Sequence, residues 1–283
     1  MTCGSNAAVQ TARLLDLLPG DFIGLGDFVY PEGTIEAFTT CYDPLFGPFF
    51  DRTLPVPGNH EYYDPGAAGY FAYFGFAKAG LPSAPWYSTT RGDWQIIVLD
   101  SNCWEIGTCA VGSPAYVWLQ AQLEAAPGMC RLVAMHHPFQ SSWIPYDNNQ
   151  YLKPMMSLLV QHGTDIVLSG HSHHYERFAQ QTENQIIDEA AGYRQFTVGT
   201  GGVAPRIPTG GATNGLLSSD PASSACSTSN CTTAGSPSDS STRTVRRPTL
   251  VAIPASTCSH TVDEQPSPST SRRSGGEYAH FRA

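Results

Sequence analysis

Residues 170–177 read GHSHHYER and directly follow the apolar run DIVLS at residues 165–169. The apolar run has the length and composition of a strand buried in a parallel sheet. His171 and His173 then leave the carboxyl end of that strand, which is where open α/β sheets place their ligands. Neutral imidazole is a common metal ligand at physiological pH. A single pair of histidines at this spacing is more often two polar loop residues, so the pair alone does not establish a site.

Three upstream stretches repeat the pattern of an apolar strand, a glycine or turn residue, and then Asp, Asn or His. They are GDFVY at 26–30, GNHE at 58–61 and HHP at 136–138. Because the carboxyl ends of parallel strands meet at one edge of a sheet, we expect their polar side chains to lie together. The recurrence therefore predicts a metal site. Its candidate residues are Asp27, Tyr30, Asn59, His60, His136, His171 and His173.

These side chains offer imidazole, carboxylate, amide and phenol donors, which together suit a pair of ions such as Fe, Mn or Zn. A carboxylate can bridge two ions about 3.5–4 Å apart, the separation that clamps the attacking and leaving oxygens in phosphoryl transfer. The eight cysteines include no CxxC pair, which argues against a structural zinc site.

Charge and aromatic content differ between two parts of the chain. Residues 1–202 carry 8 Lys and Arg against 19 Asp and Glu, whereas residues 203–283 carry 7 against 5. The acidic first part argues against nucleic acid as a partner, because phosphate backbones are bound by clustered Lys and Arg. No apolar run approaches the ~20 residues of a membrane span, so we expect no membrane partner.

The change in composition predicts a folded domain at 1–202 and a Ser/Thr/Pro-rich low-complexity tail at 203–283. Ser, Thr and Pro make up 35 of the 81 residues in the tail. Such a composition predicts a largely disordered segment. A glycosylated stalk and a translation-frame artefact are the alternatives that composition leaves open.

Apolar periodicity predicts alternating helices and strands before residue 203. Helices are expected at 6–18, 35–50, 113–126 and 152–162. Strands are expected at 21–25, 54–57, 86–90, 94–100, 132–135, 165–169 and 194–202, with 245–253 as a further candidate. The aromatic residues of 62–86 are interpreted mainly as helical core packing. For Tyr62 and Tyr63, which follow a candidate block, a wall of the site is the alternative.

The cysteines bear on the compartment. Cys103 and Cys109 are six residues apart, which suits a small disulfide-closed loop. Cys3 can pair with Cys41 if the first helix packs nearby, and Cys130, at the start of an apolar run, is interpreted as a buried residue. Disulfides indicate an oxidising compartment, yet the N-terminus has neither the charged nor the apolar region of a signal peptide. Either the protein is cytoplasmic or the start of the gene product is missing.

In order and spacing, the four blocks resemble the signature blocks of the calcineurin-like metallophosphoesterase superfamily. GDFVY at 26–30 and HHYER at 173–177 are closer still to its purple acid phosphatase branch. The resemblance covers residues 1–202. It implies an α/β fold in which a sandwich of β-sheets is flanked by helices. It also implies a hydrolase that uses two metal ions to cleave small phosphate esters, as an acid phosphatase does.

The resemblance assigns the metal ligands. Asp27 would bridge two divalent or trivalent ions, either Fe with Fe or Fe with Zn or Mn. Tyr30 and His173 would bind the first ion, and the phenolate favours ferric iron there. The second ion would be bound by Asn59, His136 and His171.

The resemblance also assigns the chemistry. His60 would not be a ligand; it would face the phosphate as general acid or transition-state stabiliser. A metal-activated hydroxide would attack phosphorus in line. Separately from the resemblance, His137 and His174 adjoin predicted ligands and are interpreted as residues that support those ligands or pack beside them, rather than as ligands.

The chain departs from the family pattern before Asp27. The family has an earlier strand that ends in a metal-binding Asp, whereas Asp16 falls in the first predicted helix and Asp21 begins a strand. We therefore expect a fragment that lacks the first strand, one carboxylate ligand and a signal peptide, the complete protein being secreted. The alternative functions are a phosphodiesterase or nucleotidase of the same superfamily and a catalytically impaired, truncated domain.

Overall fold

The computed structural model describes residues 3–143, 148–203, 214–220, 252–253 and 281–282. The α-helices of this part are α1 Asn6–Leu17, α2 Ile35–Ala37, α3 Asp43–Phe46, α4 Ala68–Phe74, α5 Phe76–Ala79, α6 Pro114–Ala125 and α7 Lys153–Gln161. Phe38–Tyr42 is π-helical, and 3-10 turns lie at Gly47–Arg52, Glu61–Tyr63, Pro65–Ala67 and Gln150–Leu152. The strands are β1 Phe22–Gly24, β2 Thr53–Pro55, β3 Tyr87–Arg91, β4 Trp94–Val98, β5 Cys130–Met135, β6 Ile166–Ser169, β7 Tyr175–Phe178, β8 Arg194–Val198, β9 Leu216–Asp220, β10 Ala252–Ile253 and β11 Phe281–Arg282.

Seven strands form one mixed sheet in the order β3-β4-β5-β6-β8-β7-β9. The central strands β4, β5, β6 and β8 are parallel, and β3 and β7 run antiparallel to their neighbours. Ile96 and Val98 face one side of the sheet, and Ile97 faces the other. Parallel strands that are buried on both faces read as continuous apolar runs, which is why the sequence predicts these central strands well.

Strands β1 and β2 pair in parallel as a separate small sheet, with Ile23 opposite Leu54. Ile23, Leu54 and Val56 belong to the same buried cluster as Ile96 and Leu132 of the large sheet. The two sheets therefore pack face to face, and the predicted α/β sandwich flanked by helices is confirmed. The short, proline-rich β2 is a strand because this packing, rather than its own propensity, stabilises it.

Helices cover the outer face of each sheet. Helices α6 and α7 pack on the large sheet with Leu119 and Met156 in its core. Helix α1, the segment 35–52 and α4 pack on the small sheet in a cluster rich in aromatic side chains. Tyr70, Phe71 and Phe74 are buried there, which agrees with the core-packing interpretation of most of the aromatic segment.

A buried arginine joins the large sheet to α6 and α7. Arg131 of β5 is 3% exposed. Its guanidinium donates to the carbonyl oxygens of Leu123 and Ala126, at 2.9 and 2.5 Å, and to that of His162. Its Nε donates to Gln95 at 3.1 Å. One side chain therefore satisfies carbonyls at the carboxyl ends of both helices, which have no partners within the helix.

Two strands differ from the sequence expectation. β7 begins directly after the histidine pair, where the sequence suggests a loop, and β9 lies beyond residue 202. β9 pairs with β7, so the sheet extends past the predicted domain boundary. Of the candidate strand at 245–253, the structure describes only 252–253, which pair with 281–282. The rest of the predicted disordered tail lies outside the described residues.

The structure joins Cys3 to Cys41 and Cys103 to Cys109, with Cα–Cα distances of 4.8 and 5.2 Å. Cys130 is buried, as expected, and it is disulfide-bonded. Across the described ranges, no helix is both long and apolar enough to cross a membrane.

Candidate metal centre

The candidate residues come from four strand ends in two different sheets. Asp27 follows β1 and Asn59 follows β2, so the small sheet supplies one pair. His136 directly follows β5, and His171 follows β6, so the large sheet supplies the other. Because each sheet is parallel at this point, all four side chains reach the same edge of the sandwich.

Four donor atoms converge around His136. Its Nε2 lies 3.1 Å from Asn59 Oδ1, 3.1 Å from His171 Nδ1 and 3.3 Å from Asp27 Oδ1. The His136 and Asp27 side chains are 1% and 7% exposed. The structure therefore brings together the three side chains predicted to bind the second ion and the predicted bridge. We call these four atoms the His136 group.

A second set of donors converges on the other carboxylate oxygen of Asp27. Tyr30 Oη lies 2.9 Å from Asp27 Oδ2 and 3.2 Å from His173 Nε2. We call Tyr30, His173 and Asp27 Oδ2 the Tyr30 group. The Asp27 carboxylate thus lies between two sets of donors, one on each oxygen. Its position fits a bridging role, which remains a prediction.

His60 lies beside both groups and belongs to neither. Its backbone N–H donates to Asp27 Oδ1 at 3.0 Å, and its Nδ1 donates to the carbonyl oxygen of Pro31 at 2.6 Å. The ring lies between those of Tyr30 and Tyr63, at centroid distances of 4.1 and 4.6 Å. Since Nδ1 carries the hydrogen in this arrangement, Nε2 is the nitrogen that can exchange a proton with a substrate.

The hydrogen-bond pattern around His136 fits a cation. Its Nδ1 lies 2.6 Å from the carbonyl oxygen of Leu25, which can only accept, so Nδ1 carries the hydrogen. Asn59 Nδ2 donates to Tyr63 Oη at 3.0 Å, which turns the amide oxygen inward. His136 Nε2 therefore faces two acceptor oxygens, those of Asn59 and Asp27. A proton or a metal ion among these atoms offsets their repulsion, and two nitrogens with two oxygens suit Fe, Zn or Mn.

The ionisation of the group agrees with this geometry. Burial opposes ionisation of Asp27, but the charge of His136 and its hydrogen bond hold the Asp27 pKa well below its usual range. Burial would lower the pKa of His136, but the Asp27 carboxylate reverses that effect and raises it. Burial and then His136 lower the pKa of His171 to about 3, so His171 is neutral at physiological pH, the form in which imidazole can bind a metal ion.

His137 lies close to His136 and His171 of the His136 group. Among the His, Cys, Asp and Glu side chains of the described part, His136, His137 and His171 form a group whose ligand atoms lie within 4.8 Å of one another. However, His137 Nδ1 lies 2.9 Å from Ser101 Oγ, which also accepts from the His137 backbone N–H at 2.9 Å. We therefore still place His137 in a supporting role, as predicted.

The site backbone is unusual at both Asp27 and His171. Their φ angles are 55° and 62°, in the left-handed region that few non-glycine residues occupy. Such strain occurs mainly where the surrounding structure holds a functional side chain in place. Gly26, at φ 88°, lets the turn pass close to the next block, because a Cβ there would lie 2.7 Å from the backbone nitrogen of Gly58.

Glu61 also supports the site, although it is not among the residues predicted from the sequence. Its buried carboxylate accepts from the backbone N–H groups of Asp27, Phe28 and Gly58 at 2.8, 2.8 and 2.7 Å. Burial and then the Asp27 charge raise the pKa of Glu61 to about 7, against the effect of these N–H donors. Its place in the GNHE block was the available signal, since a carboxylate next to a strand end can bind the neighbouring loop.

His174, which was predicted to support or pack beside the ligands, contacts a buried glutamate in the structure. His174 and Glu176 are both fully buried, with His174 Nε2 3.2 Å from Glu176 Oε2. The backbone N–H of Ser142 donates to Glu176 Oε1 at 2.8 Å. These contacts connect β7 to the loop after β5.

Comparison with known proteins agrees with this geometry. The family model described as calcineurin-like phosphoesterase matches residues 8–175. An uncharacterised protein of Mycobacterium tuberculosis is 30% identical over 205 residues, covering 59% of this chain and 37% of its own length. The Fe(3+)-Zn(2+) purple acid phosphatase 12 of Arabidopsis thaliana is 29% identical over 194 residues, covering 62% of this chain and 34% of its own length. The chain thus spans little more than a third of either relative.

A solved structure shows the same fold. The purple acid phosphatase from yellow lupin (Lupinus luteus) seeds superposes with a TM-score of 0.63 at 18% identity, over 76% of this chain and 43% of its own. The resemblance to the superfamily and to its purple acid phosphatase-like branch is therefore confirmed. A family match over more than half the chain, joined to a sandwich with four signature blocks at one edge, means that the chain belongs to the calcineurin-like phosphoesterase family.

Proposed function

We propose that this protein hydrolyses phosphate monoesters with two metal ions, one in the His136 group and one in the Tyr30 group. The observation that supports this proposal most strongly is the position of Asp27, whose Oδ1 lies 3.3 Å from His136 Nε2 and whose Oδ2 lies 2.9 Å from Tyr30 Oη. One carboxylate with a donor set on each oxygen is the arrangement that a dinuclear centre needs. The family and the phosphatase relative support the reaction class.

The ions, when bound, would neutralise charge on the phosphate and lower the pKa of water. The residues of this chain hold them at fixed positions. Asp27 supplies a carboxylate that stays ionised, and His136 and His171 supply imidazole nitrogens. Asn59 and Tyr30 supply oxygens, and the Tyr30 phenolate favours ferric iron. We propose Fe with Fe, Zn or Mn for the pair.

His60 is the proposed general acid. The Pro31 carbonyl oxygen lies 2.6 Å from His60 Nδ1 and fixes the tautomer of the ring. The rings of Tyr30 and Tyr63 hold the orientation of the imidazole. A protonated Nε2 can then donate to the leaving oxygen, a contribution that amounts to about 10²–10⁴-fold in typical enzymes. The same cation can stabilise charge on the phosphate as the bond breaks.

The test is hydrolysis of p-nitrophenyl phosphate by the full chain, with metal content measured on the same sample. We expect turnover with about two ions per chain, and a loss of about 10²-fold or more in kcat for His60→Ala with unchanged metal content. His162→Ala, which alters a histidine at the end of α7 away from the site, is the matched control. Metal binding without turnover would support the impaired domain instead. Faster cleavage of bis(p-nitrophenyl) phosphate than of the monoester would support the phosphodiesterase alternative.

We also propose that the complete protein acts in an oxidising, extracytoplasmic compartment. The pairs Cys3–Cys41 and Cys103–Cys109 support this, since disulfides persist mainly in such compartments. Thiol titration of protein purified under non-reducing conditions tests it. Free thiols at these four positions would contradict it.

A further inference from the structure

Three consecutive polar residues follow the end of β4, the strand next to β5 in the large sheet. They are Asp100, Ser101 and Asn102, and each is buried. Because β4 is parallel to β5, it ends at the same edge of the sandwich as the strands that carry the candidate metal residues. Buried polar groups are normally hydrogen-bonded. The partners of these three side chains therefore identify which parts of the chain the segment connects.

Asp100 binds the turn that follows Asn59. Its Oδ2 accepts from the phenol of Tyr62, and the Tyr62 backbone N–H donates to the carbonyl oxygen of Asn59 at 3.1 Å. Burial raises the pKa of Asp100 to about 6, against the effect of its hydrogen bonds from Tyr62 and Asn102. The carboxylate is therefore ionised above neutral pH, and hydrogen bonds to an ionised acceptor are stronger than neutral ones.

Asn102 and Ser101 contact two further loops at this edge. Asn102 Nδ2 donates to the carbonyl oxygen of Pro57 at 3.2 Å and to Asp100 Oδ1 at 2.7 Å. Pro57 lies between β2 and the GNHE block. Ser101 Oγ accepts the backbone N–H of His137 at 2.9 Å. One buried segment thus holds a loop of the small sheet and a loop of the large sheet against each other.

The His136 group needs these two loops at one particular separation. His136 Nε2 and Asn59 Oδ1 lie 3.1 Å apart, although the first belongs to the large sheet and the second to the small one. We propose that Asp100, Ser101 and Asn102 are positioning residues that hold the Asn59 oxygen at the distance from His136 that one metal ion requires. This inference rests on the proposed function.

The first experiment measures zinc binding to the full chain by calorimetry, near neutral pH. Tyr62→Phe removes the bond to Asp100 and keeps the ring. We expect one of two ions to bind about tenfold more weakly, the low end for lost support of a ligand, and the other ion to bind as in the wild type. Tyr73→Phe removes an equivalent phenol bond, of 2.6 Å to Asp43, and is the matched control that should leave both affinities unchanged.

The second experiment identifies the weakened ion with double variants. His171→Ala removes a donor of the His136 group, and His173→Ala removes one of the Tyr30 group. Adding Tyr62→Phe should weaken zinc binding about tenfold in the His173→Ala background and leave it unchanged in the His171→Ala background, because only neighbouring sites couple. Equal effects in both backgrounds, or no effect in either, would overturn the positioning role.

The third experiment separates positioning from stability and does not depend on Tyr62. Asn102→Ala should weaken the same ion, and urea denaturation measures the stability of each metal-free variant. Lower stability with an unchanged ratio of the two zinc affinities would mean a merely structural role and would overturn the proposal. The expected zinc results without hydrolysis of p-nitrophenyl phosphate would overturn the proposed function alone. A wild type that binds no zinc would overturn both.

Discussion

Glu61 Oε2 accepts the backbone N–H of Asp27 at 2.8 Å, so a buried carboxylate that follows β2 fixes the strained residue that follows β1. The same oxygen accepts from Gly58 at 2.7 Å, and Oε1 accepts from Phe28 at 2.8 Å. Each of these donors is a main-chain group of a loop that follows β1 or β2. The strand hydrogen bonds between β1 and β2 end with these two short strands. Beyond them, the Glu61 carboxylate accepts the main-chain N–H groups of the site loops.

Glu61→Gln should destabilise the protein without removing a predicted ligand. A glutamine amide presents one NH₂ group to N–H donors, so at least one buried donor loses its acceptor. We expect a loss of about 1–3 kcal/mol in the free energy of unfolding, measured by urea denaturation. Glu36→Gln, on the exposed side of α2, is the matched control and should change stability little. An unchanged urea midpoint for Glu61→Gln would mean that these three hydrogen bonds contribute nothing net.

The two donor groups should differ in metal retention. The His136 group offers four donor atoms, whereas the described residues of the Tyr30 group offer three. We expect His173→Ala to keep about one ion per chain after dialysis against a mild chelator, and His171→Ala to lose the more tightly held ion. Elemental analysis of both variants and of the wild type measures this. Equal retention by the two variants would count against two distinct ion positions.

Tyr63→Phe should weaken metal binding, although Tyr63 is not itself a predicted ligand. The phenol oxygen accepts from Asn59 Nδ2 at 3.0 Å and thereby orients the amide oxygen toward His136. Loss of such outer support typically costs about 10–100-fold in metal affinity, and the exposure of Tyr63 places the expectation at the low end. Tyr73→Phe removes a hydrogen bond of 2.6 Å to Asp43, remote from the site, and is the control. Metal titration by calorimetry distinguishes the two.

Arg131→Met should destabilise the large sheet and its two helices together. The substitution leaves carbonyl oxygens at the ends of α6 and α7 without donors in a buried place. A buried acceptor left without a donor typically costs about 1–3 kcal/mol, so a lowered Tm is expected in calorimetry. Arg13→Met, on the exposed face of α1, should leave Tm nearly unchanged. A similar Tm for both variants would show that the Arg131 hydrogen bonds are replaced by water.

The central strands and the convergence of four strand ends were predictable because each depends on a short, continuous stretch of sequence. β4, β5 and β6 are apolar runs, and each candidate block lies shortly after the end of a strand. The sequence did not predict that β1 and β2 form a separate sheet. Strands of three residues contain too little pattern to indicate which strands they pair with. β9 was missed for a related reason: it is an edge strand whose pairing with β7, rather than its composition, makes it a strand.

The supporting contacts of the centre were the least predictable. Glu61 and Tyr63 act through hydrogen bonds to the main chain and to Asn59, and such partners depend on how the loops fold. Asp100 looks like the end of an ordinary buried strand until Tyr62, 38 positions away in sequence, is placed beside it. The ligand residues belong to short repeated blocks, whereas these contacts join distant parts of the chain and leave no local pattern.

The His136 group takes Asp27 and Asn59 from the small sheet and His136 and His171 from the large one. A metal ion bound there would be shared between the two layers of the sandwich. Separation of the layers would then require release of the ion, so unfolding would be linked to metal by mass action. Each tenfold rise in free metal above its dissociation constant would add about 1.4 kcal/mol to the free energy of unfolding. The supply of metal would thus set how long the protein stays folded.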